Sequence, residues 1–442
     1  MKIKLSDHFT YTRLFRFVLP SIAMMIFTSI YGVVDGFFVS NYAGKMEFAA
    51  VNLIMPFPMM LGAFGFMIGT GGSALVSITL GEGKKKEANE FFSMLIYVTI
   101  GVGIVLTLLG VFFTEQIAVF LGAEGDILEH CVKYGRLLLL ALVPFMLQNV
   151  FQSFLVTAEK PTFGLIITII AGVTNIVLDY VFIGILDGGV VGAALATGIS
   201  QFVGGLVPLV YFILPNKSLL HLGRAKWNMS ALWKTCFNGS SELMTNLSIS
   251  LVNMLYNFQL LRFAGEDGVA AYGVIMYVNF IFIAVFLGYA IGTAPIIGYH
   301  YGAGNKDEMK NVYGKSIRFN IVAGILMCVL GIAMSGFLAR LFVGYDSELC
   351  EMTQWGFIVY CIAFLVMGIN IYGSSFFTAL GNGLVSALIS FLRTLLFQVV
   401  AVLVLPIFFD LNGVWFSIVA AEGLALVVTI GFLVRCRKKY GY

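Results

Sequence analysis

Apolar residues along this chain gather into long unbroken runs separated by short polar stretches. The runs lie near residues 14–40, 48–79, 93–113, 134–157, 163–185, 190–214, 235–261, 268–298, 318–338, 354–380, 384–408 and 413–434. A helix of about 20 apolar residues crosses a hydrocarbon core of about 30 Å, and each run reaches that length. A membrane barrel would instead show in-out alternation in segments of about 10 residues, whereas these runs are apolar on all sides. The pattern predicts an all-α integral membrane protein with twelve transmembrane helices.

Composition agrees: 60% of the residues are apolar and 11% charged. A water-soluble surface made from that mixture would leave most of its area uncovered, so lipid is the expected main solvent. The net charge of +3 is small and its charges dispersed, which argues against a nucleic-acid partner. The cations carry orientation instead. Twenty fall in segments on one side, from Lys2, Lys4, Arg13 and Arg16 through Lys84–Lys86, Lys160, the stretch from Lys217 to Lys234, the stretch from Lys306 to Arg318, and Arg435 to Lys439. Five fall on the other side (Lys45, Lys133, Arg136, Arg262, Arg340), with Arg393 inside a run. The positive-inside rule then places both termini in the cytoplasm. The first run is longer than a signal-peptide core and is followed by no A-x-A-like cleavage site, so it is expected to be retained. Six cysteines lie scattered without metal-ligand spacing and read as small packing residues.

Sliding the chain against itself by 221 residues aligns unusual positions without a gap. Ala43-Gly44 meets Ala264-Gly265, Gly71 meets Gly292, Gly81 and Gly83 meet Gly302 and Gly304, Asn149 meets Asn370, and Thr157-Ala158 meets Thr378-Ala379. Glycine-rich helices match by chance here and there, but a constant offset along the whole chain indicates duplication. Two halves with an even number of helices are parallel repeats related by a two-fold along the membrane normal, enclosing a cleft. The expected division is a first six-helix lobe over 1–214, a cytoplasmic linker over 215–234 and a second six-helix lobe over 235–442.

An ionisable side chain at the bilayer centre costs roughly 3 kcal/mol on insertion scales, so each one needs a reason. Five are embedded: Asp35, Asp179, Glu242, Arg393 and Glu422. Asp35 follows Tyr31 by one turn in SIYGVVDGFF, and Asp179 follows Asn175 by one turn in TNIVLDY. If those faces meet, with Thr197 adding a hydroxyl, they form a hard-oxygen site for a small cation such as Na+ at Asp35, Asn175 and Asp179, or a dyad holding one proton. The blander alternative is that each aspartate is satisfied separately. At the repeat offset Asp35, Asn175, Asp179 and Thr197 correspond to Tyr256, Leu396, Val400 and Ile418, so the first half alone keeps this cluster. Ser21, Gly172 and Gln201 correspond to Glu242, Arg393 and Glu422, which gives the second half a separate set containing a cation. Glu242 and Arg393 are a candidate pair, serving either structural neutralisation or substrate contact. Pro20 lies inside the first helix and favours a bend there. No Walker A or kinase-type glycine loop is present to bind ATP.

With these residues in view, the sequence resembles the multidrug and toxic compound extrusion (MATE) family, in its MepA-like bacterial branch. The likeness runs over nearly the whole chain and rests on PSIAMMIFTSIYGVVDGFFV, the GEG and GAG turns, TNIVLDYVFIG and GGVVGAALATGISQ. It implies a secondary antiporter of two lobes in the bacterial plasma membrane, working as a monomer without a cofactor. Such a protein exports amphiphilic, mostly cationic compounds in exchange for protons or sodium. It also implies a first-lobe cation site at Tyr31, Asp35, Asn175, Asp179 and Thr197, and a helix bend at Pro20. Glu242 matches an acid used by the sodium-coupled NorM-like branch. The aspartate that this branch carries in the tenth helix is replaced here by Asn370, so a sodium site of that style is not expected in the second lobe. Glu242, Asn370, Arg393 and Glu422 remain candidates for substrate contact. The competing function is a lipid-linked precursor flippase, which would need a more basic cavity than one arginine among four acids supplies. A channel or a membrane enzyme lacks a filter-like repeat or a catalytic constellation.

Overall fold

The bilayer offers no water to backbone N–H and C=O groups, so each crossing segment has to satisfy its own hydrogen bonds as a helix. A computed structural model describes residues 3–442, with the backbone alone at Lys45. Lys2, one of the cations counted above, lies outside the described residues, as does the side chain of Lys45. The spans are α1 (Tyr11–Ala43), α2 (Met46–Gly81), α3 (Lys85–Phe120), α4 (Gly125–Leu140 and Leu142–Thr157, bent by 55°), α5 (Pro161–Ile185) and α6 (Gly189–Ile213). Next comes a continuous helical run, Met229–Gly302, inverted at Gly265 (φ 62°, ψ −149°) into α7 (229–264) and α8 (266–302). After α9 (Lys306–Val343) and α10 (Ser347–Ala379), the run Gly383–Tyr440 is broken at Asp410 (φ 48°, ψ −133°) into α11 (383–409) and α12 (411–440). The described residues thus hold the twelve expected spans. Several run past the apolar core: α3 begins at Lys85 and α9 at Lys306, well before their apolar runs. α7 begins at Met229, within the stretch 215–234.

The duplication is visible in backbone conformation. Gly44 and Gly265, Gly83 and Gly304, and Gly189 and Asp410 all have positive φ, and each pair is related by the repeat offset. The first lobe is filled by packed aromatics such as Phe92, Phe151, Phe154 and Phe212, meeting mostly edge to face. The second is filled around Tyr256, Phe286, Phe364 and Trp415. Leu108, Phe112, Val329, Phe337 and Val427 are exposed, as side chains facing lipid should be.

The lobes meet near the end of the bundle that carries both termini, and small residues make this possible. A Cβ added at Gly81 would lie 2.0 Å from the Tyr299 carbonyl oxygen, and one at Gly302 would lie 2.0 Å from that of Ile78. Gly81 corresponds to Gly302 and Ile78 to Tyr299, so this crossing of α2 and α8 is self-complementary, as a two-fold contact must be. The flanking contacts obey the same symmetry: Gly71 sits against Gly239, and Gly292 against Val18. Backbone approach of this kind is how membrane helices associate without a hydrophobic driving force.

Residues ahead of α1 close the same end. Leu5 and Phe9 are fully buried in a core shared with Phe17, Tyr289 and Phe376. The Leu5 N–H donates to Glu159 Oε1 at 2.8 Å, and the Phe9 N–H donates to Glu308 Oε1 at 2.8 Å. Glu308 also meets His8 Nδ1 at 2.6 Å and accepts from Asn311 at 2.8 Å, while Lys315 donates to the Phe9 carbonyl at 2.6 Å. Burial pushes the Glu308 carboxyl up, but the Phe9 N–H, Asn311 and His8 outweigh it and hold the group below its usual range.

Two outcomes follow from this closed end. Gly302→Val and Gly81→Val each force the α2 and α8 backbones apart and should lower the thermal midpoint of the purified protein, by roughly 1–3 kcal/mol of overpacking strain. A wild-type midpoint for both would show that the crossing does not bear on stability. Because the folded pKa of Glu308 is depressed, its stabilisation is present above the ordinary glutamate range and is lost as pH falls through the folded value. Glu308→Gln should therefore flatten the acid limb of thermal midpoint against pH, with little pH dependence difference above that range.

Candidate functional site

Three helices of the first lobe bring the predicted oxygen groups together. Asp35 and Tyr31 come from one face of α1, Asn175 and Asp179 from one face of α5, and Thr197 from α6. The Asp35 carboxylate faces Asp179, Asn175 and Thr197. Thr197 Oγ1 donates to Asp35 Oδ1 at 3.3 Å. Asp179 is fully buried and Asn175 is 1% exposed, and neither carboxylate oxygen of Asp179 nor either amide atom of Asn175 has a hydrogen-bond partner within the protein. Buried polar groups are almost always satisfied, so this cluster is incomplete as it stands. Two carboxylates and an amide facing one another, with orphaned oxygens, are the donor set of a hard cation or a shared proton.

Tyr31 packs against Gly172, where a Cβ would lie 2.8 Å from its ring, and its hydroxyl faces Gln148 of α4. Gln148 was not foreseen, although a buried Gln148 and Gln152 one turn apart in an apolar helix are a legible signal. Tyr134 was also missed. It is fully buried within electrostatic reach of both aspartates and donates to Met55 Sδ at 3.6 Å. Nothing in its local sequence marks it. α1 stays helical through Pro20, and the next residues, Ser21 and Ile22, form the contact with Gly288.

The second lobe corrects one expectation. Arg393 forms its ion pair with Glu422 rather than Glu242: Nε donates to Oε1 at 2.8 Å and to Oε2 at 3.1 Å. Asn370 completes the group by donating to Glu422 Oε2 at 2.7 Å and to the Glu422 carbonyl at 3.0 Å. Glu422 is 1% exposed, so it needs a fixed cation, and α12 packs alongside α10 to supply that geometry. Glu242 instead lines a chamber of about 170 Å³ between the lobes, with Met25, Phe66 and Gln152 from the first lobe and Asn246 and Arg393 from the second. An adjoining chamber of about 190 Å³ lies within the second lobe, lined by Tyr256, Tyr272, Asn279, Tyr360, Arg393 and Gln398. The positions equivalent to the first-lobe cluster are thus used differently. Tyr256, at the Asp35 position, donates to Gln398 at 3.0 Å and stacks on Tyr272.

The family model MatE matches the chain twice, over residues 20–181 and 243–404. The multidrug export protein MepA of Staphylococcus saprophyticus subsp. saprophyticus is 25% identical over 433 residues, covering 95% of this chain and 93% of its own. Among solved structures, an outward-facing multidrug resistance MATE family transporter superimposes with a TM-score of 0.90 at 23% identity, covering 97% of this chain and 95% of that one. A MATE protein in complex with MaL6 gives 0.89 at 23% identity, covering 97% and 96%.

Proposed function

The chain belongs to the multidrug and toxic compound extrusion (MATE) family, and on that premise we propose that it is a secondary antiporter that exports amphiphilic organic cations in exchange for protons or sodium. The observation that carries the reading is the incomplete oxygen cluster of the first lobe, where buried Asp179 and Asn175 face Asp35 with unsatisfied polar atoms. A proton or a sodium ion completes it, through Tyr31, Asp35, Asn175, Asp179 and Thr197, and the two ions compete for the same carboxylates. The MepA relative, named a multidrug export protein, supports the substrate class.

Function needs a ligand that favours one conformation over another, since equal affinity for both shifts nothing. The proposed functional units are the lobes 1–214 and 235–442, joined through residues 215–234 and rocking about the glycine crossing. With both termini in the cytoplasm of a bacterial cell, the crossing at Gly81 and Gly302 seals the cytoplasmic side. An ion arriving at Asp35 and Asp179 removes net negative charge from α1 and α5. α1 carries Pro20 beside its contact with Gly288, so a bend there transmits the change to the seal. Substrate cation and coupling ion then exclude one another electrostatically, which makes the exchange obligatory. A flippase for lipid-linked pyrophosphates would need free positive charge in the cavity, and the charge of Arg393 is balanced by Glu422. A monomer contains both lobes and suffices for this cycle.

Asp35→Asn should abolish concentrative export, measured as dye accumulation in a pump-deficient bacterium, while membrane insertion is retained. Wild-type resistance in cells expressing the variant well would remove the coupling role. Glu242→Gln should alter substrate range several-fold yet leave ion-driven exchange in proteoliposomes. Loss of exchange for every substrate tested would move the coupling site to the second lobe.

A further inference from the structure

The repeat relates two places at the end of the bundle that carries both termini, and they are finished differently. In the second lobe, residues ahead of α1 dock on the start of α9: the Phe9 N–H donates to Glu308 Oε1 at 2.8 Å, and Glu308 is 6% exposed. The offset of the repeat carries Glu308 to Glu87 at the start of α3, and residues 5–9 to residues 226–230 around the start of α7. There the equivalent acid stays exposed, and a groove of about 660 Å³ opens beside it, lined by Lys84, Lys85, Lys86, Glu90 and Lys226. Lys84 is held by Glu82 at 2.7 Å, whereas Lys85, Lys86 and Lys226 form no ion pair among the described residues. The stretch 215–234 that walls the groove carries Lys217, Arg224, Lys226 and Lys234 and no acid. It is fixed against α3: the His221 N–H donates to Asn89 Oδ1 at 2.6 Å, the Gly223 N–H to Ser93 Oγ at 3.0 Å, and the Tyr97 hydroxyl to the Gly223 carbonyl at 2.9 Å. Leu220 is fully buried by this packing, but Trp227, Met229 and Trp233 are 68%, 74% and 73% exposed. Two of the four tryptophans in the chain therefore stand in the open beside unpaired lysines.

We propose that this groove binds the headgroup of an anionic phospholipid from the leaflet on the side of the termini, its phosphate held by Lys85, Lys86 and Lys226 and its chains beside Trp227 and Trp233. Depth supports this occupant. Phe91 forms the inner edge of the groove and begins the apolar part of α3. At 1.5 Å per residue, Lys85 and Lys86 lie roughly 8 Å beyond it along the helix. A bilayer of about 40–45 Å around a core of about 30 Å has a headgroup layer of nearly that thickness on each face. Tryptophan favours the same level, where its ring meets acyl chains and its N–H meets water. A soluble anion would satisfy the lysines and leave the indoles in water, whereas a lipid answers both, and basic pockets at headgroup depth recognise such groups. Glu87 and Glu90 keep the net charge of the wall low, which suits a phosphodiester with one negative charge rather than a polyphosphate. The groove shares no residue with the oxygen cluster or the two chambers, so the inference is independent of the antiport reading.

The test is quenching of tryptophan fluorescence in the full-length protein reconstituted in phosphatidylcholine bilayers. A small fraction of the lipid is replaced by phosphatidylglycerol, or by phosphatidylcholine, brominated on its chains near the headgroup. Brominated phosphatidylglycerol should quench at several-fold lower mole fraction than brominated phosphatidylcholine. Trp227→Phe with Trp233→Phe should remove that difference, which places the preferred lipid beside these two indoles. Lys85→Gln, Lys86→Gln and Lys226→Gln together change only exposed side chains and should bring the two lipids to the same midpoint. Lys306→Gln with Lys310→Gln, at the related start of α9, should leave the preference as in the wild type. Equal quenching by both lipids in the wild type, or a preference that survives the triple variant, would overturn the proposal. So would an equal loss in the Lys306 and Lys310 variant, which would mean diffuse surface charge, or displacement of the lipid by excess glycerol 3-phosphate, which would mean a soluble ligand.

Discussion

Charge in a medium without water is the constraint on which the rest of this molecule depends. Hydrocarbon leaves every backbone group to be satisfied within its own helix, and it penalises each ionised side chain that lacks a partner. Twelve helices meet the first demand. The second is met in opposite ways by the two lobes. In the second, Glu422 is held by Arg393 and Asn370. In the first, Asp35 and Asp179 face each other, and the Asp179 and Asn175 polar atoms have no hydrogen-bond partner within the protein.

Closure between the lobes is governed by sterics rather than charge. At Gly81 and Gly302 the helices approach so closely that any side chain would strike a carbonyl, and the same holds for Gly239 against Met67. Contacts of that kind cost little conformational entropy to make and leave no polar group stranded when they part. The segment ahead of α1 adds polar ties to both halves, through Glu159 and Glu308. Apolar crossing and polar ties therefore sit at the same end, while the oxygen cluster lies further along α1 and α5.

Much of this was legible in the chain. Hydrophobic runs located all twelve spans, and the repeat offset aligned the turns at Gly44 and Gly265 and at Gly83 and Gly304 that the backbone shows to be equivalent. The cluster of Asp35, Asn175, Asp179 and Thr197 was legible because two i, i+4 pairs and an isolated hydroxyl leave few arrangements. The partner of Arg393 was not, because Glu242 and Glu422 are both apolar-run acids and only the packing of α10, α11 and α12 chooses between them. Tyr134 and the buried Leu5 and Phe9 were invisible for a related reason. Each lies in a stretch whose local pattern is amphipathic or charged, and its burial comes from elements distant in sequence. Helix ends were displaced outward at α3 and α9, since helices continue beyond the hydrocarbon that the apolar runs record.

Duplication gave this protein two copies of one scaffold, and the copies have kept and lost different things. What remains symmetric is mechanical: the positive-φ turns, the Gly81 and Gly302 crossing, and the contacts that flank it. What has diverged is chemical. Tyr256 stands at the position of Asp35 and donates to Gln398, and Arg393 stands where the first lobe has Gly172, the very residue that lets the Tyr31 ring approach α5. An arginine at Gly172 would collide with Tyr31, while a glycine at 393 would leave Glu422 buried without its cation. Each lobe's chemistry therefore excludes the other's at the same structural position. The lobes are therefore joined through symmetric backbone contacts while their buried polar chemistry differs.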